Sequence, residues 1–366
     1  MAPSRRNNEG LLARVNFPLF TVQMLTSRHV VVAGGGGSSK TGVANGFEIF
    51  ELSHDGKRFI AEELGRHETG PKVVMNCATH TTSKHTYLVA GQESHCQLYD
   101  VAITVVKQPP DDAKPANGKI GNNNLRRRRL SRSGSSELEN KVDGNCNAVK
   151  RLQFDFKAMD SIQTDFMDVE PVQRVVRISR CGKLMATGGI DGHVRLWSFP
   201  SMRPSFDLTD HKKEIDDLDF SPDSKMAISV AKDGQAFIWC TSKGKKICTL
   251  TWTPPNGNKY LYKRCRFGSV EENKSRSRVF TICNSIGKPS GQALGYLQQW
   301  DPVHGTLERS CPVSESLSAL AVRDDGTFLA IGTMFTGSVA IYIAFSLQVK
   351  TIIYKYMLML SPGPPS

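Results

Sequence analysis

Gly188-Gly189-Ile190-Asp191-Gly192-His193-Val194-Arg195-Leu196-Trp197 and Lys232-Asp233-Gly234-Gln235-Ala236-Phe237-Ile238-Trp239 decide how this chain folds. Each sets a turn rich in Gly or Asp ahead of alternating residues that end on an aromatic, the pattern of a tight hairpin feeding an inner strand. Two looser copies keep the plan: Gly91-Gln92-Glu93-Ser94-His95-Cys96-Gln97-Leu98-Tyr99 and Thr336-Gly337-Ser338-Val339-Ala340-Ile341-Tyr342. Trp197 and Trp239 lie 42 positions apart, and so do Trp300 and Tyr342. Such a period belongs to four-stranded propeller blades of the WD-repeat type, so the chain reads as an all-β propeller.

Outward from these hairpins, about six blades can be laid out. The two clear ones cover about Val172 to Leu208 and Ile215 to Leu250. A first covers about Phe17 to Leu64, and a second begins near Val73 and is interrupted after Tyr99, its fourth strand resuming near Arg151-Leu152-Gln153-Phe154. The fifth is stretched by loops around Pro254-Pro255 and Ser285 to Gly291, which accounts for the 61 positions from Trp239 to Trp300; the sixth runs from about Leu317 to Ile352. The expected organisation is therefore an N-terminal tail (1–16), a propeller (17–352) and an irregular C-terminal tail (353–366). Residues 108–147 are rich in Pro, Asn, Gly, Ser and Arg and lack apolar periodicity. Such a segment cannot repay the entropy of ordering, and it reads as a disordered basic insertion.

Charge is concentrated in that insertion. Of the net charge of +12, the stretch from Val101 to Lys150 holds +5, with ten basic residues against five acidic ones. The nine cysteines are odd in number and include no C-x-x-C, which argues against a disulfide framework and a zinc site and fits reduced thiols facing the cytosol. Arg5 and Arg6 are followed by Asn7, Asn8 and Glu9 rather than an apolar run, so no secretory signal is read. No stretch of about eighteen apolar residues reads as a membrane helix.

One loop has too much glycine for a structural hairpin. Gly34-Gly35-Gly36-Gly37-Ser38-Ser39-Lys40-Thr41-Gly42-Val43-Ala44-Asn45-Gly46 lies between the strand patterns His29 to Ala33 and Phe47 to Phe50. Every glycine costs entropy on ordering, so the excess points to a working loop that approaches another surface closely. Gly34 to Thr41 nearly spells the phosphate-cradling G-x-x-x-x-G-K-[ST]. The match fails because Ser39 replaces the second glycine and a strand pattern follows, leaving no helix N-terminus for the anion. A protein-binding loop is the better reading. His211, Ser229, Asp233 and Trp239 invite a second misreading, as a hydrolase triad. In WD repeats these positions hold a buried structural set, no oxyanion site is signalled, and the same structural reading applies to Asp191, His193 and Trp197.

Several motifs together carry a resemblance. They are Phe17-Pro18-Leu19-Phe20, the loop from Gly34 to Gly46, Ala90-Gly91-Gln92 with His95-Cys96-Gln97-Leu98, Gln163-Thr164-Asp165-Phe166, and Ala186-Thr187-Gly188-Gly189 with Asp191-Gly192. Cys265-Arg266-Phe267-Gly268 and the run from Thr336 to Gln348 complete the set. From about Phe17 to Gln348 the chain resembles the prolactin regulatory element-binding protein family, the animal counterparts of the fungal endoplasmic-reticulum exchange factor for the Sar GTPase. The resemblance implies a seven-bladed WD-repeat propeller on the cytosolic face of the endoplasmic reticulum, held by a C-terminal membrane helix, that loads the Sar GTPase with GTP and begins COPII coat assembly. It also implies that Gly34, Gly35, Gly36, Gly37, Lys40, Gly42 and Asn45 form the GTPase-contacting loop, with a potassium ion associated with the loop and Asn45. No other cofactor and no covalent catalysis are implied, since exchange works by differential binding.

After Gln348 the family pattern of a seventh blade and membrane helix is not found; the chain reads Val349 to Leu360 and then Ser361-Pro362-Gly363-Pro364-Pro365-Ser366. The expectation is a ring of about six blades with wet blade faces, either a poorly soluble form located in the cytosol or an incomplete product whose full-length sibling does the membrane work. Each ~400 Å² of apolar face left open forfeits on the order of 10 kcal/mol. Two rival functions are a DNA-binding transcriptional regulator and a WD-repeat scaffold without exchange activity. The first rests on Arg126 to Arg129, which suit weak, sequence-indifferent phosphate binding; neither a recognition helix nor zinc spacing is present to read bases.

Overall fold

The computed structural model describes residues 12–38, 42–108, 149–270, 273–287 and 293–353. Lys40, the Arg126 to Arg129 run, and most of the expected tails and basic insertion lie outside the described residues. Strands form where short apolar alternation meets Gly or Asp turns, and they assemble into six antiparallel four-stranded sheets. The first holds β1 (Leu19–Met24), β2 (His29–Gly34), β3 (Asn45–His54) and β4 (Phe59–Gly70). The second holds β5 (Val74–Thr81), β6 (Thr86–Gln92), β7 (His95–Gln108) and β8 (Val149–Gln163). The third holds β9 (Gln173–Ile178), β10 (Leu184–Gly189), β11 (Val194–Ser198) and β12 (Arg203–Leu208). The fourth has β13 (Ile215–Phe220), β14 (Met226–Ala231), β15 (Ala236–Cys240) and β16 (Lys245–Thr249). In the fifth are β17 (Tyr260–Val270), β18 (Asn273–Ser285), β19 (Gly295–Asp301) and β20 (Thr306–Val313), and in the sixth β21 (Leu317–Val322), β22 (Phe328–Thr333), β23 (Val339–Ile343) and β24 (Gln348–Ile353).

The described residues form two compact units, one of residues 12–102 with 156–353 and one of residues 103–108 with 149–155. The second contains the ends of two long strands, with Ile103, Val105 and Val106 exposed. In the first unit, the leading strand of each sheet lies beside the leading strand of the next, from β1 and β5 through to β17 and β21. This is a propeller of WD-repeat blades. Every sheet slips register between its first and second strands, as at Ile215/Asp217 and Leu317/Ala319. In sheets three to six a second slip falls at the repeat's terminal aromatic, Trp197, Trp239, Trp300 or Tyr342. An extra residue at a bulge sharpens the twist, which lets neighbouring sheets splay around an axis.

Successive sheets bury their facing side chains against each other. Trp239, Leu218 and Phe237 of sheet four pack with Leu196 and Val194 of sheet three, and Trp300 and Val279 of sheet five pack with Ile228 and Ile238 of sheet four. Burying one such side chain is worth about 1.5–3 kcal/mol. Each buried indole N–H finds a hydroxyl on the adjacent strand: Trp197 donates to Thr187 and Trp239 to Ser229, while Trp300 donates to Thr281. On the inner strands Asp217 accepts from Arg177 and Arg266, tying sheets three, four and five by one buried carboxylate.

Sheets six and one break the pattern. Among the described residues no strand of the sixth sheet packs on the first as consecutive sheets do. A cavity of about 520 Å³ runs along the inner strands, lined by Val22 and Gln23 of the first sheet and Ala319, Ala330 and Val339 of the sixth, and also by Thr79, Arg177 and Arg266 of sheets two, three and five. Phe20, Val22 and Met24 of β1 are exposed, as are Ile343 and Ile353 of the sixth sheet. The six blades expected from the 42-residue period are present, and two apolar faces among them are uncovered.

Candidate functional site

The glycine loop joins β2 to β3 at one edge of the first sheet, and its base is closed by three devices. Gly34 pairs with Gly46 across the two strands. Gly35 donates its N–H to the carbonyl of Pro18 at 3.1 Å. The third is Asn45, whose side-chain amide bridges the loop: Oδ1 accepts from the Gly37 N–H at 2.9 Å, while Nδ2 donates to the carbonyls of Gly37 (3.1 Å) and Gly70 (2.9 Å). Asn45 is only 4% exposed, so these bonds form out of water and none is wasted on solvent. A loop with so many glycines is thereby held in one shape at its base.

The glycines do different work. A methyl at Gly34 would meet the Pro18 carbonyl oxygen at 1.8 Å, and one at Gly35 would meet Asn45 Oδ1 at 2.0 Å. Both are buried and are glycine because the backbone approaches too closely for any side chain. Gly37 and Gly42 have φ of 80° and 76°, with open space where a side chain would stand, so left-handed backbone is what they supply. Of the seven residues expected to contact a partner, the six that are described, all but Lys40, therefore separate. Gly34, Gly35 and Asn45 sit behind the surface and position it, Gly36 and Gly37 are half-buried, and Gly42 is exposed together with Ser38. Sequence reasoning missed the second anchor, Gly70, 25 positions from Asn45. Its only local mark is the turn dipeptide Gly70-Pro71.

His211, Ser229, Asp233 and Trp239 come together as a buried chain. The His211 Nδ1 lies 3.1 Å from Asp233, its Nε2 lies 2.8 Å from Ser229 Oγ, and that same hydroxyl accepts the Trp239 indole N–H at 2.8 Å. Burial pushes the Asp233 carboxyl up. Hydrogen bonds from His211 and from the Lys212 and Gln235 N–H groups outweigh it and hold the group below the usual carboxylate range. Ser229 is fully buried, so it offers no oxygen to a substrate. Asp191 is also structural, ion-paired with Arg195 at 2.7 Å and accepting the Phe166 N–H from the preceding connection, and His193 lies 2.9 Å from Asp207.

Among the described residues no cluster of His, Cys, Asp or Glu could hold a metal ion, and no helix is long and apolar enough to cross a membrane. Fold and loop together define a WD-repeat propeller carrying one stiffened, side-chain-poor loop at its edge. The WD domain, G-beta repeat family model matches residues 170–198 and 202–240. The chain is 35% identical over 347 residues to guanine nucleotide-exchange factor SEC12 of Mus musculus, covering 92% of this chain and 78% of that protein. The rat protein is 34% identical over the same shares. SEC12-like protein 1 of Arabidopsis thaliana is 28% identical over 194 residues, 52% of this chain and 44% of its own. The chain belongs to the SEC12 family of guanine nucleotide-exchange factors.

Proposed function

We propose that this chain accelerates GDP release from a small GTPase of the Sar type and so begins COPII coat assembly on the cytosolic face of the endoplasmic reticulum. The observation that carries the reading is the Asn45 clamp, which fixes the base of a glycine-rich loop by tying Gly37 and Gly70 together. Exchange forms no covalent bond. A factor that binds the nucleotide-free GTPase more tightly than the loaded one must weaken nucleotide binding by the same factor, about 1.4 kcal/mol of coupling for each tenfold. A loop already ordered before it meets its partner loses little entropy on binding, which leaves more of the contact energy to oppose nucleotide. Reactive side chains are not needed.

The clamp also suits a potassium ion. The oxygens gathered there are neutral, the Asn45 amide Oδ1 and the Gly37 and Gly70 carbonyls that its Nδ2 bonds, the donor chemistry that a hard monovalent cation takes. Bound there, the ion would add positive charge that stiffens the loop backbone. Asn45 and the glycines orient the loop through their own hydrogen bonds.

Release of labelled GDP from purified Sar-type GTPase tests the proposal. The unmodified chain is expected to speed release, and Asn45→Ala to slow that effect about tenfold or more while the β-sheet spectrum is retained. A folded Asn45→Ala protein with undiminished exchange would remove the assignment.

A further inference from the structure

The glycine loop is too small to hold a GTPase by itself. A standard protein interface takes about 800 Å², roughly 20–30 residues, from each side, and the loop from Gly34 to Gly46 has thirteen residues, six of them glycine. The remaining contact must come from the same rim of the propeller. Between sheets two and three that rim is tied together. Thr164 and Asp165, in the β8–β9 connection, donate their N–H groups to the Ser94 carbonyl of the β6–β7 turn, and Ile190 of the β10–β11 turn donates to Val172. These turns leave their sheets on the side from which the glycine loop leaves the first.

On this rim Phe166, Met167 and Val169 stand in solvent, 55%, 47% and 73% exposed. A fully bonded base holds them there. Asp165 is completely buried and accepts N–H groups from Met167 (3.0 Å) and Asp191 (3.1 Å). Phe166 donates its own N–H to Asp191. The buried Arg195 guanidinium bonds the Thr164 carbonyl at 2.8 Å and lies 4.8 Å from the centre of the Phe166 ring. Gly189 makes the arrangement fit, because a methyl there would lie 1.9 Å from Asp165 Oδ2. Glu170, next in line, has a φ of 49°, a conformation that costs energy in a non-glycine residue. An aromatic held by its backbone bonds and by a guanidinium on one face, with more than half of its surface exposed, has the character of an interface anchor.

We propose that Phe166, Met167 and Val169 form a second docking point for the small GTPase, an apolar ledge that supplies affinity while the glycine loop supplies the opening of the nucleotide site. This rests on the exchange reading above. The two roles separate kinetically, because an affinity anchor changes the concentration of factor needed and not the rate once the complex is full.

GDP release is measured across a range of concentrations of this chain. Phe166→Ala and, separately, Val169→Asp are expected to raise the half-saturating concentration about tenfold and to leave the maximal rate unchanged; Asn45→Ala lowers the maximal rate. Val303→Ser, on the opposite edge of the propeller, serves as the control for loss of an exposed apolar group. Unchanged half-saturation in both ledge variants, or an equal shift in the control, overturns the ledge and leaves the exchange reading standing. No acceleration by the unmodified chain overturns the exchange reading and the ledge with it.

Discussion

Asn45 shows how much one side chain can hold. Its amide closes a loop between Gly37 and Gly70, and both of its polar atoms are spent inside the protein. Asn45→Asp keeps the acceptor and loses both donated bonds, so it is expected to impair exchange as Asn45→Ala does, despite its similar size. The buried Ser229 hydroxyl has a comparable place in the core. Ser229→Ala leaves the Trp239 N–H and a His211 nitrogen unpaired out of water, and is expected to lower unfolding free energy by about 2–4 kcal/mol in urea titration. Asp233 gives a pH signature. Its carboxyl is held below the ordinary range, so its contribution is full above about pH 4 and is lost as pH falls through its folded value. Stability of the Asp233→Asn variant should therefore fall less between pH 5 and pH 3 than that of the parent. At this scale the sequence is a partial guide. The WD-type spacing of His211, Ser229, Asp233 and Trp239 already marks a structural set, whereas the burial of Asn45 depends on Gly70, a partner that no local pattern identifies.

The hairpin is the element that the sequence makes plain. A turn such as Asp233-Gly234, where Gly234 has φ of 82°, followed by alternation and an aromatic, fixes both the turn and the face that goes inward. Ends are harder to read. β4 continues to Gly70, beyond the expected stop at Leu64, because its pairing with β3 runs on to Asn45, opposite Gly70. That extension places Gly70 under the loop, so the misjudged boundary and the missed anchor have one cause. The glycine loop allows a test at the same scale. Gly37→Ala adds a methyl into open space and should cost about 1–2 kcal/mol of local backbone strain, slowing exchange with little change in melting. Gly34→Ala drives a methyl into the Pro18 carbonyl and should lower the melting temperature as well. Equal melting temperatures for the two variants would contradict the separation of packing glycines from conformational ones.

Across the whole first unit, all six sheets are built from consecutive strands, and no sheet mixes an early strand with a late one among the described residues. Among the described residues, sheets two to five each pack on a neighbouring sheet at both faces, while the first and sixth each pack so on one. Stability in such a stack is approximately a sum of blade terms and nearest-neighbour interfaces. The ion pairs from Asp217 to Arg177 and Arg266 fall in the doubly supported stretch, between sheets three and five. The open faces, with Val22 62% exposed, fall where support is single. This molecule should therefore unzip from two ends. Amide hydrogen exchange is expected to be fastest in β1–β4 and β21–β24 and slowest in β13–β19, a gradient that a shut ring would level out. The glycine loop is carried by one of those fraying ends, so whatever braces the first sheet, including a partner leaning on it, also sets how long the tool keeps its edge.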